Sequence, residues 1–537
     1  MRRYHRDVSD EPIHTVQDIH RLEKQRRENR GRVVELGLNP YGVRTSGLLS
    51  LAAGHERYDA DADEHHKAHA KEDGHQDRRP VVKVAGRVVL HRDNGKLVWM
   101  NLRDETGELQ IAASKRDCDE PGFGLAKATD LGDVIVAEGP LVKTKTGEVT
   151  VWVTSLQPAA KCLVPPPEKR AGLQDVELRY RQRDVDLWAN PRTMRVFKLR
   201  SAIMSRIRRF LDERGFVEVE TPMLQTLAGG AAARPFKTHL NALDMQVFMR
   251  IAPELYLKRL LVGGMSRVYE VNRNFRNEGL DKQHNPEFTS LEVYEAFGDY
   301  GSMMELTETL IRELARLAIV AQEDAAGTGA EEDSLPAELS LPFGELMIDY
   351  GLPFLKVTYA DLFARALGFE MNDVARAREE AKKRGLRLER DGVAFGDVFV
   401  INELFEDVAE PMLDPARPTF VMDYPAALSP LTRPKADDPS IAERWDLFIA
   451  GMEIGPAYTE LNDPDIQEAK FKEQLGGVGD EESTFRNFDA DFVRALKVGM
   501  PPAGGLGLGI DRIVMLLANQ RSIRDVILFP FMKPVGE

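Results

Sequence analysis

The sequence predicts a protein of several domains, in which a small all-β barrel precedes a larger domain that mixes helices and strands. Three features of the chain support this division. Short alternating apolar and polar runs fill residues 81–157, three prolines follow at 165–167, and helical periodicity begins at about residue 192. A length of 537 residues with 43% hydrophobic content allows roughly two to four such domains.

The composition limits the environment and the partners of the protein. Two cysteines, Cys118 and Cys162, form neither a disulfide framework nor a metal-ligand spacing, which favours a reducing compartment. The N-terminal residues lack an apolar signal core, and no apolar run is long enough to span a bilayer. We therefore expect a cytoplasmic protein without a membrane segment. The net charge of -15 excludes a global attraction to nucleic acids, so nucleic-acid binding requires local basic patches.

Residues 1–79 are predicted to form an N-terminal helical extension and a charged, His-rich linker. Residues 15–36 have the pattern of a polar, Arg-rich helix that starts at Thr15 and ends before Gly37. Such a helix either docks on phosphates or covers a solvated surface. Residues 54–79 contain five of the eleven histidines. Within them, His65 and His69 have the spacing of a helical zinc site, and a charged linker is the alternative.

Residues 80–164 are predicted to form a β-barrel of the OB type, since about five short strands are separated by turns. Trp99 on one strand could stack a base, and Lys96, Lys143 and Lys145 could contact phosphates. A barrel with a purely structural tryptophan fits the same pattern. The barrel residues alone therefore leave nucleic-acid binding open.

Residues 165–190 are predicted to be a hinge linker, and residues 191–537 to be a second, larger domain. A helix is predicted over 192–214, where apolar residues recur at helical spacing up to Gly215. Strands are predicted at about 247–251, 266–276, 286–297, 346–350, 418–424, 446–461 and 504–510. The acidic, Ala- and Gly-rich residues 320–340 are expected to form a surface loop.

A predicted hairpin at residues 272–294 is the most informative stretch of the larger domain. Residues of equal parity share one face of a strand. Arg276 therefore lies on one face with Glu278, and Phe288 shares a face with Glu292 and Tyr294. An arginine for an anion, a ring for stacking and two acids with a phenol for a cation predict a site for a nucleotide and a basic small molecule.

A glycine-rich strand at 504–510 predicts a bare surface. Glycines at alternate positions 505, 507 and 509 leave one strand face without side chains, so a flat ligand can lie against the backbone. Arg512 begins the helix that follows. The segment matches neither a dinucleotide fingerprint nor a phosphate-binding P-loop. Close strand-to-helix packing, with Arg512 in a salt bridge, is an equally good interpretation.

Four further carboxylates are candidates for binding. Asp446, Glu453 and Glu460 are spaced by seven residues in an apolar stretch, where a carboxylate must meet a metal, a cation or water. A solvent-facing strand would explain the same pattern. Glu254 follows Pro253 at a predicted helix start, where it could serve the helix dipole or a ligand. No nucleophile and histidine arrangement is present, so any chemistry is expected to be electrostatic.

Together these segments resemble the three motifs of the class II aminoacyl-tRNA synthetases. Residues 215–222 resemble the first motif. Residues 275–278, with His284 and Phe288, resemble the second motif, and residues 505–512 resemble the third. Four other segments resemble the subclass IIb lysyl-tRNA synthetases of bacterial and eukaryotic type: residues 229–236, 252–258, 284–289 and 524–530. The resemblance extends from about residue 15 to residue 534.

The resemblance implies an OB-fold anticodon-binding domain followed by an α+β catalytic domain on an antiparallel sheet, in a homodimer. It implies a lysine–tRNA ligase that uses ATP, L-lysine, tRNA(Lys) and Mg²⁺. The residues implied as catalytic are Arg276 and Arg512. Those implied for ATP are Arg276, Glu278, His284, Asn285, Phe288, Glu453, Gly509 and Arg512. Those implied for lysine are Gly230, Glu254, Arg276, Glu292, Tyr294 and Glu460. The implied metal ligands are Asp446 and Glu453, and the implied anticodon contacts are Arg92, Trp99, Gln110 and Glu148.

Two positions depart from the family pattern. Asp446 stands where the family generally has a glutamate metal ligand, so its reach is about one methylene shorter. Pro456 stands where an asparagine usually helps to hold lysine, and proline lacks both the amide and a backbone donor. We expect weaker lysine binding with specificity retained.

Three alternatives compete with this interpretation. An aspartyl- or asparaginyl-tRNA synthetase of the same subclass would need cations where the candidate pocket has acids. A lysine-activating relative that modifies proteins would be expected to lack the OB region. A non-enzymatic OB-type nucleic-acid-binding protein leaves Arg276, Phe288 and Arg512 unexplained.

Overall fold

The computed structural model describes residues 21–166, 173–231, 233–326, 338–386, 388–390, 393–476 and 488–534. The chain divides into two compact units, Met1–Met194 and Arg195–Glu537. Within the described ranges, no helix combines the length and apolar character that crossing a membrane requires.

The first unit is built from short helices around a β-barrel. Its elements are, in chain order, α1 (Arg21–Glu35), α2 (Leu51–Glu56), α3 (Ala60–His69), β1 (Val81–Asp93), β2 (Leu97–Arg103), β3 (Glu108–Ser114), α4 (Glu120–Ala128), β4 (Val134–Lys143), β5 (Val149–Val153), β6 (Ser155–Ala160), α5 (Val176–Arg181) and α6 (Arg183–Ala189). The predicted polar helix is present as α1, and Thr15 lies outside the described residues.

The barrel closes because β1 pairs with both β2 and β4, in the order β1-β2-β3-β5-β4, and β6 pairs with the other edge of β4. Alternate residues point inward along each strand. On β1, for example, Val82 and Val84 are buried, and Val98 and Met100 are buried on β2. These five strands confirm the small barrel that the alternating pattern predicts.

The stretch predicted to be a charged linker contains a folded helix, α3. Its Asp63 is fully buried and accepts hydrogen bonds from the Tyr58 hydroxyl at 3.0 Å and the Lys67 ammonium at 2.7 Å. The rings of His65 and His69 stack with centroids 4.5 Å apart. No group of three potential metal ligands forms among the described residues, so the zinc alternative gains no support. Residues 173–190 of the predicted hinge likewise contain the helices α5 and α6, and residues 167–172 lie outside the description.

The next helix, α7 (Pro191–Asp212), is the one that the spacing predicts, and all of it from Arg195 onward belongs to the second unit. Its next elements are β7 (Val217–Glu218), β8 (Leu224–Gln225), β9 (Lys237–Leu240), β10 (Met245–Met249), α8 (Glu254–Val262), β11 (Arg267–Phe275), β12 (Glu287–Ala296), α9 (Tyr300–Ala326), β13 (Ser340–Phe343), β14 (Leu346–Asp349), β15 (Leu355–Thr358), α10 (Tyr359–Leu367), α11 (Val374–Arg384), β16 (Glu389–Arg390) and β17 (Val393–Ala394). The predicted acidic loop at 320–340 falls partly on the end of α9 and partly on residues 327–337, which lie outside the described residues.

The remaining elements complete the main sheet of this unit. They are α12 (Asp397–Leu404), a π-helical turn (Phe405–Ala409), two 3-10 turns (Glu410–Met412 and Ala426–Leu428), β18 (Thr419–Met422), β19 (Arg444–Ile449), β20 (Met452–Thr459), α13 (Pro464–Gly476), α14 (Ala490–Gly499), β21 (Ala503–Gly509), α15 (Ile510–Leu517) and α16 (Ile523–Val526).

The eight strands of this sheet run in the order β15-β18-β19-β20-β21-β12-β11-β7. The central pairings from β18 to β11 are antiparallel, as the resemblance implies, and only the two edge pairings are parallel. One sheet face packs on the buried apolar residues of α7, α9 and α15. On β12, Leu291 and Val293 belong to that core, so the even-numbered residues point to the opposite face.

The single strand predicted for 446–461 is instead a hairpin of β19 and β20. The chain reverses at Ala450 and Gly451, which both have positive φ, at 54° and 72°. Alanine is uncommon in this conformation, so the turn carries no strong sequence signal.

Candidate active site

A cavity of about 450 Å³ lies over the face of the sheet that the helical core leaves free. Phe288, Ser290, Glu292 and Tyr294 of β12 all line it. They are two residues apart along one strand, so they share this face. The hairpin pattern therefore predicts correctly which side chains of this strand come together.

Gly507 and Gly509 of β21 line the cavity beside β12, whereas Gly505 of the same strand does not. Gly505 pairs with Tyr294, and Gly507 pairs with Glu292. A Cβ atom at Gly505 would lie 2.0 Å from the Glu460 Oε1 atom and 2.6 Å from the Tyr294 ring. The strand needs glycine there because a side chain would displace both groups.

One end of the cavity is basic and aromatic. The guanidinium carbon of Arg276 lies 5.1 Å from the centroid of the Phe288 ring. Arg512 donates to the Glu453 carbonyl oxygen at 2.5 Å, and its other terminal nitrogen lies 3.1 Å from the His284 Nε2 atom. Both arginines line the cavity, so this end can hold a planar ring together with anionic groups.

The other end of the cavity is acidic. Glu254, at the first position of α8, lines it together with Glu292 and Tyr294. The Tyr294 hydroxyl donates to the Glu292 carboxylate at 3.2 Å. Burial, followed by the nearby Glu254 carboxylate, raises the pKa of Glu292 to about 8. Buried carboxylates that lack water are poised to accept a cationic ligand.

A buried lysine joins two of the acids. The Lys258 ammonium lies 2.7 Å from the Glu254 carboxylate and forms an ion pair with Glu460. Burial raises the pKa of Glu460 to about 8, against the opposing effect of Lys258. Burial also disfavours the charge of Lys258, but the two carboxylates outweigh burial and raise the pKa of its ammonium. Lys258 thus compensates the charge of Glu254 and Glu460, and Glu292 is the cavity carboxylate whose raised pKa favours its protonated form near neutral pH.

The barrel of the first unit carries a separate groove of about 950 Å³. Three of the four residues predicted to contact an anticodon line it: Arg92, Trp99 and Gln110. Arg92 and Trp99 are register partners on neighbouring strands. The Gln110 side-chain oxygen accepts a hydrogen bond from the Thr150 hydroxyl at 2.9 Å, which leaves its amide hydrogens for a ligand. Glu148 is exposed but is not among the lining residues of the groove.

Comparison with known proteins identifies the family. Residues 175–533 match the model of the class II tRNA synthetases of the D, K and N group, and residues 82–159 match that of an OB-fold nucleic acid binding domain. The chain belongs to the class II tRNA synthetases. It is 46% identical to the lysine–tRNA ligase of Pelotomaculum thermopropionicum over 96% of both chains. It is 43% identical to that of Carboxydothermus hydrogenoformans over 96% of this chain and 99% of the relative. It is also 46% identical to that of Pseudomonas entomophila over 84% and 86% of the two chains.

Most residues that the sequence proposes for the catalytic site of this synthetase line the one cavity. They are Gly230, Glu254, Arg276, Glu278, His284, Asn285, Phe288, Glu292, Tyr294, Glu453, Gly509 and Arg512. Glu460 is fully buried beside Lys258 and Gly505 and does not itself line the cavity. Asp446 is also outside the lining.

Asp446 has a partner that sequence reasoning missed. Both of its carboxylate oxygens accept hydrogen bonds from Arg444, at 2.9 and 2.6 Å, and its side chain is 5% exposed. The two residues are two positions apart on β19, so they share a face. In this arrangement Asp446 is committed to Arg444, whereas the Glu453 carboxylate remains accessible to solvent. The solvent-facing alternative for these acids therefore fails for Asp446 and Glu460.

Asp511 is a second residue that the sequence analysis overlooked. It accepts a hydrogen bond from Arg200 of α7 at 2.6 Å and one from the Thr289 backbone N–H at 2.8 Å. It precedes Arg512 in the first turn of α15, and it ties this helix to β12 beside Phe288. Its position next to Arg512 was the one feature of the sequence that pointed to a role for Asp511. Its hydrogen-bond partners could not be predicted, because they are more than 200 residues away in sequence.

Proposed function

We propose that this synthetase activates L-lysine with ATP and transfers the lysyl group to the 3′ end of tRNA(Lys). The observation that carries this proposal is the pairing of two ends in one cavity, an arginine and aromatic end for ATP and an acidic end for a cationic side chain. The relatives named lysine–tRNA ligase match nearly the whole chain, which supports the same substrate.

ATP would occupy the basic and aromatic end. Phe288 would stack on the adenine ring, and Arg276 would hold the α-phosphate and the lysine carboxylate. Arg512 and His284 would contact the base and the outer phosphates. Glu278, Asn285, Glu453 and Gly509 would complete the ATP pocket. All eight side chains or backbone positions line this cavity.

Lysine would occupy the acidic end. Glu254 and the Gly230 carbonyl would accept its α-ammonium, since the two residues lie against one another: a Cβ atom added to Gly230 would lie 3.2 Å from the Glu254 Cβ. Glu292 and Tyr294 would surround the ε-ammonium, supported by Glu460. A buried ammonium needs acceptors for three N–H groups and a compensating charge. Two carboxylates and a phenol oxygen supply both.

The reaction would begin with attack of a lysine carboxylate oxygen on the α-phosphorus of ATP. A new C–O–P bond forms as the bond to the bridging oxygen breaks, and pyrophosphate leaves in line. Arg276 would stabilise the charge that develops on the α-phosphate oxygens. The terminal ribose hydroxyl of tRNA then attacks the lysyl carbonyl, AMP leaves, and no side-chain nucleophile is needed.

The residues of the cavity fit an Mg²⁺ ion held mainly by ATP. Mg²⁺ commonly keeps several waters and uses one or two carboxylates together with phosphate oxygens. Glu453 is the carboxylate of this end that is exposed to solvent and lines the cavity, so it could meet the ion. Asp446 would contribute only if it left Arg444. When bound, the ion would neutralise phosphate charge.

The barrel groove would bind the anticodon through Arg92, Trp99 and Gln110, with Glu148 at its margin.

We further propose a cytoplasmic homodimer. An exposed edge supports the dimer: β7 ends the main sheet, its Val217 is 50% exposed, and the neighbouring Phe297 is 81% exposed. Such apolar residues on a free strand are typical of surfaces that a partner covers. Light scattering coupled to gel filtration would give about twice the monomer mass.

Amino-acid-dependent exchange of pyrophosphate into ATP tests the substrate. We expect exchange with lysine and none with aspartate or asparagine. Exchange that depends on aspartate would establish the other branch of the family, and absence of exchange with all twenty amino acids would favour a non-enzymatic binding protein.

A further inference from the structure

Two tryptophan rings stand side by side in the barrel groove. Trp99 on β2, Ala112 on β3 and Trp152 on β5 are successive register partners across three strands. The ring centroids are 6.4 Å apart and the ring planes meet at 78°. The small side chain of Ala112 lies between them in the register, so no large group separates the rings.

The second ring has a fixed orientation. The Trp152 indole N–H donates to the Asp117 carboxylate at 3.0 Å. Asp117 also accepts from Arg116 at 2.8 Å. The polar edge of the indole is thereby satisfied, and its half-buried ring lines the groove. A held aromatic ring that lines an open groove is suited to stacking.

Helix α3 forms one wall of the same groove through His66 and Lys67. The buried Asp63 holds this wall in place, because it accepts hydrogen bonds from Lys67 at 2.7 Å and from the Lys143 backbone N–H at the end of β4 at 2.8 Å. Lys67 also donates to the Lys143 carbonyl at 2.9 Å. Two hydrogen bonds fix this ammonium, and its third hydrogen remains for a ligand.

The groove differs in charge from the chain as a whole. Six lysine and arginine residues line it with three aspartates, whereas the whole chain has a net charge of -15. Each of the three aspartates is hydrogen-bonded to a cation of the groove. A local excess of positive charge around aromatic rings is the pattern of a site for single-stranded nucleic acid.

We propose that Trp152 is a second base-stacking residue of this synthetase, so that the groove takes two consecutive unpaired RNA bases, one on each tryptophan. The inference rests on the proposed tRNA substrate and adds a residue to its recognition. Because the rings are nearly perpendicular, the two bases turn away from each other, as splayed bases of a loop do. Lys67 on the α3 wall contacts the connecting backbone.

A double-mutant cycle on RNA and protein tests the proposal. The probes are a hairpin with the anticodon stem and loop of tRNA(Lys) and three versions that each lack one anticodon base. Binding is measured by fluorescence anisotropy for the unaltered protein, Trp152→Ala and Trp152→Phe. We expect Trp152→Ala to weaken binding of the intact hairpin by about 5- to 100-fold, and Trp152→Phe by much less. One of the three abasic hairpins lacks the base that stacks on Trp152. Trp152→Ala should bind this hairpin no more weakly than it binds the intact hairpin.

A matched control is Trp188→Phe, because Trp188 packs against Arg87 in the same unit and is not among the groove-lining residues. It should bind the hairpin as the unaltered protein does. Circular dichroism shows whether Trp152→Ala folds. A second measurement compares quenching of tryptophan fluorescence by the hairpin in the unaltered protein and in Trp152→Phe, which keeps Trp99, Trp188 and Trp445, and the difference reports on Trp152. Equal affinity of Trp152→Ala, or equal losses for all three abasic hairpins in both proteins, would overturn the proposal. Failure of lysine-dependent exchange in the unaltered protein would instead contradict the proposed function.

Discussion

The cavity of the second unit and the groove of the first unit use charge in opposite ways. In the cavity, Glu292 is buried, and the removal of water raises its pKa to about 8. In the groove, the side chain of Arg116 is 86% exposed and that of Lys67 is 53% exposed. Both sites carry several charges, but the Glu292 carboxylate has lost hydration that the Arg116 and Lys67 cations keep.

Hydration therefore decides how much each charge matters. Breaking a buried ion pair costs about 3 to 5 kcal/mol because one charge is left without water or a partner. An exposed pair contributes about 0 to 1 kcal/mol. We expect the cavity to discriminate strongly through few groups, and the groove to bind through many weak, salt-sensitive contacts.

The largest test of this contrast compares Lys258→Met with Arg116→Met. Loss of the fully buried Lys258 ammonium should lower the free energy of unfolding by about 3 to 5 kcal/mol. Loss of Arg116, which pairs with Asp117 at the surface, should change it by less than about 1 kcal/mol. Urea unfolding followed by circular dichroism measures both. Similar losses in the two variants would show that burial does not separate the two regions.

Arg276→Ala tests the chemistry of the basic end. We expect the rate of lysine-dependent pyrophosphate exchange to fall by about 100- to 1000-fold, since a donor to the developing phosphate charge is lost. Arg273→Ala is the matched control, because its side chain is 45% exposed and pairs only loosely with Glu287, at 3.8 Å. A small effect of Arg276→Ala on this rate would exclude it as the main stabiliser of the reaction.

The pH dependence of lysine binding tests the acidic end. Glu292 must lose its proton to bind an ammonium, so the KM for lysine should fall as pH rises from 7 to about 8.5, by at most about tenfold for each pH unit. The lysine ε-ammonium stays charged over this range, since its pKa is about 10.4.

The stability of the ligand-free protein should move the other way over the same range. The folded-state pKa of Glu292 exceeds its ordinary value of 4.5, so its protonated form favours folding and this contribution is lost as pH rises through about 8. Glu292→Gln should remove part of both trends. A KM for lysine that is constant from pH 7 to 8.5 would contradict the protonated cavity.

The smallest expected effect concerns Pro456, which lines the cavity and pairs in register with Asp446. Pro456→Asn should lower the KM for lysine by about two- to tenfold, because the amide adds one hydrogen bond to the substrate. Steady-state exchange kinetics measure it, and the preference for lysine over aspartate should stay unchanged. A KM that does not improve would mean that the proline costs no affinity.

Local patterns predicted the parts of the fold that depend on local periodicity. The alternation of β1 and β2, the helical spacing of α7 and the shared face of Phe288, Glu292 and Tyr294 all follow from side-chain direction along one element. The glycines of β21 were also recognisable, because their spacing of two leaves a strand face bare.

The rest depends on contacts that no local pattern contains. Lys258 and Glu460 meet across 202 residues, and each alone looks like an ordinary helix or strand residue. The turn at Ala450 uses a residue with little preference for positive φ, so Gly451 alone was a weak signal for the β19 and β20 hairpin. Asp446 and Arg444 are two residues apart on one strand, so the sequence allowed an ion pair between them. The resemblance implied a metal-binding role for Asp446 instead, and this pair was not predicted.

The bare glycine strand has a consequence for inhibitors. A compound that lies flat on β21 would touch main-chain atoms, and mutation cannot remove these. Escape would require added atoms at Gly507 or Gly509, the glycines of this strand that line the cavity. A side chain there would stand in the same cavity that the proposed substrates use, so resistance would impair substrate binding together with inhibitor binding.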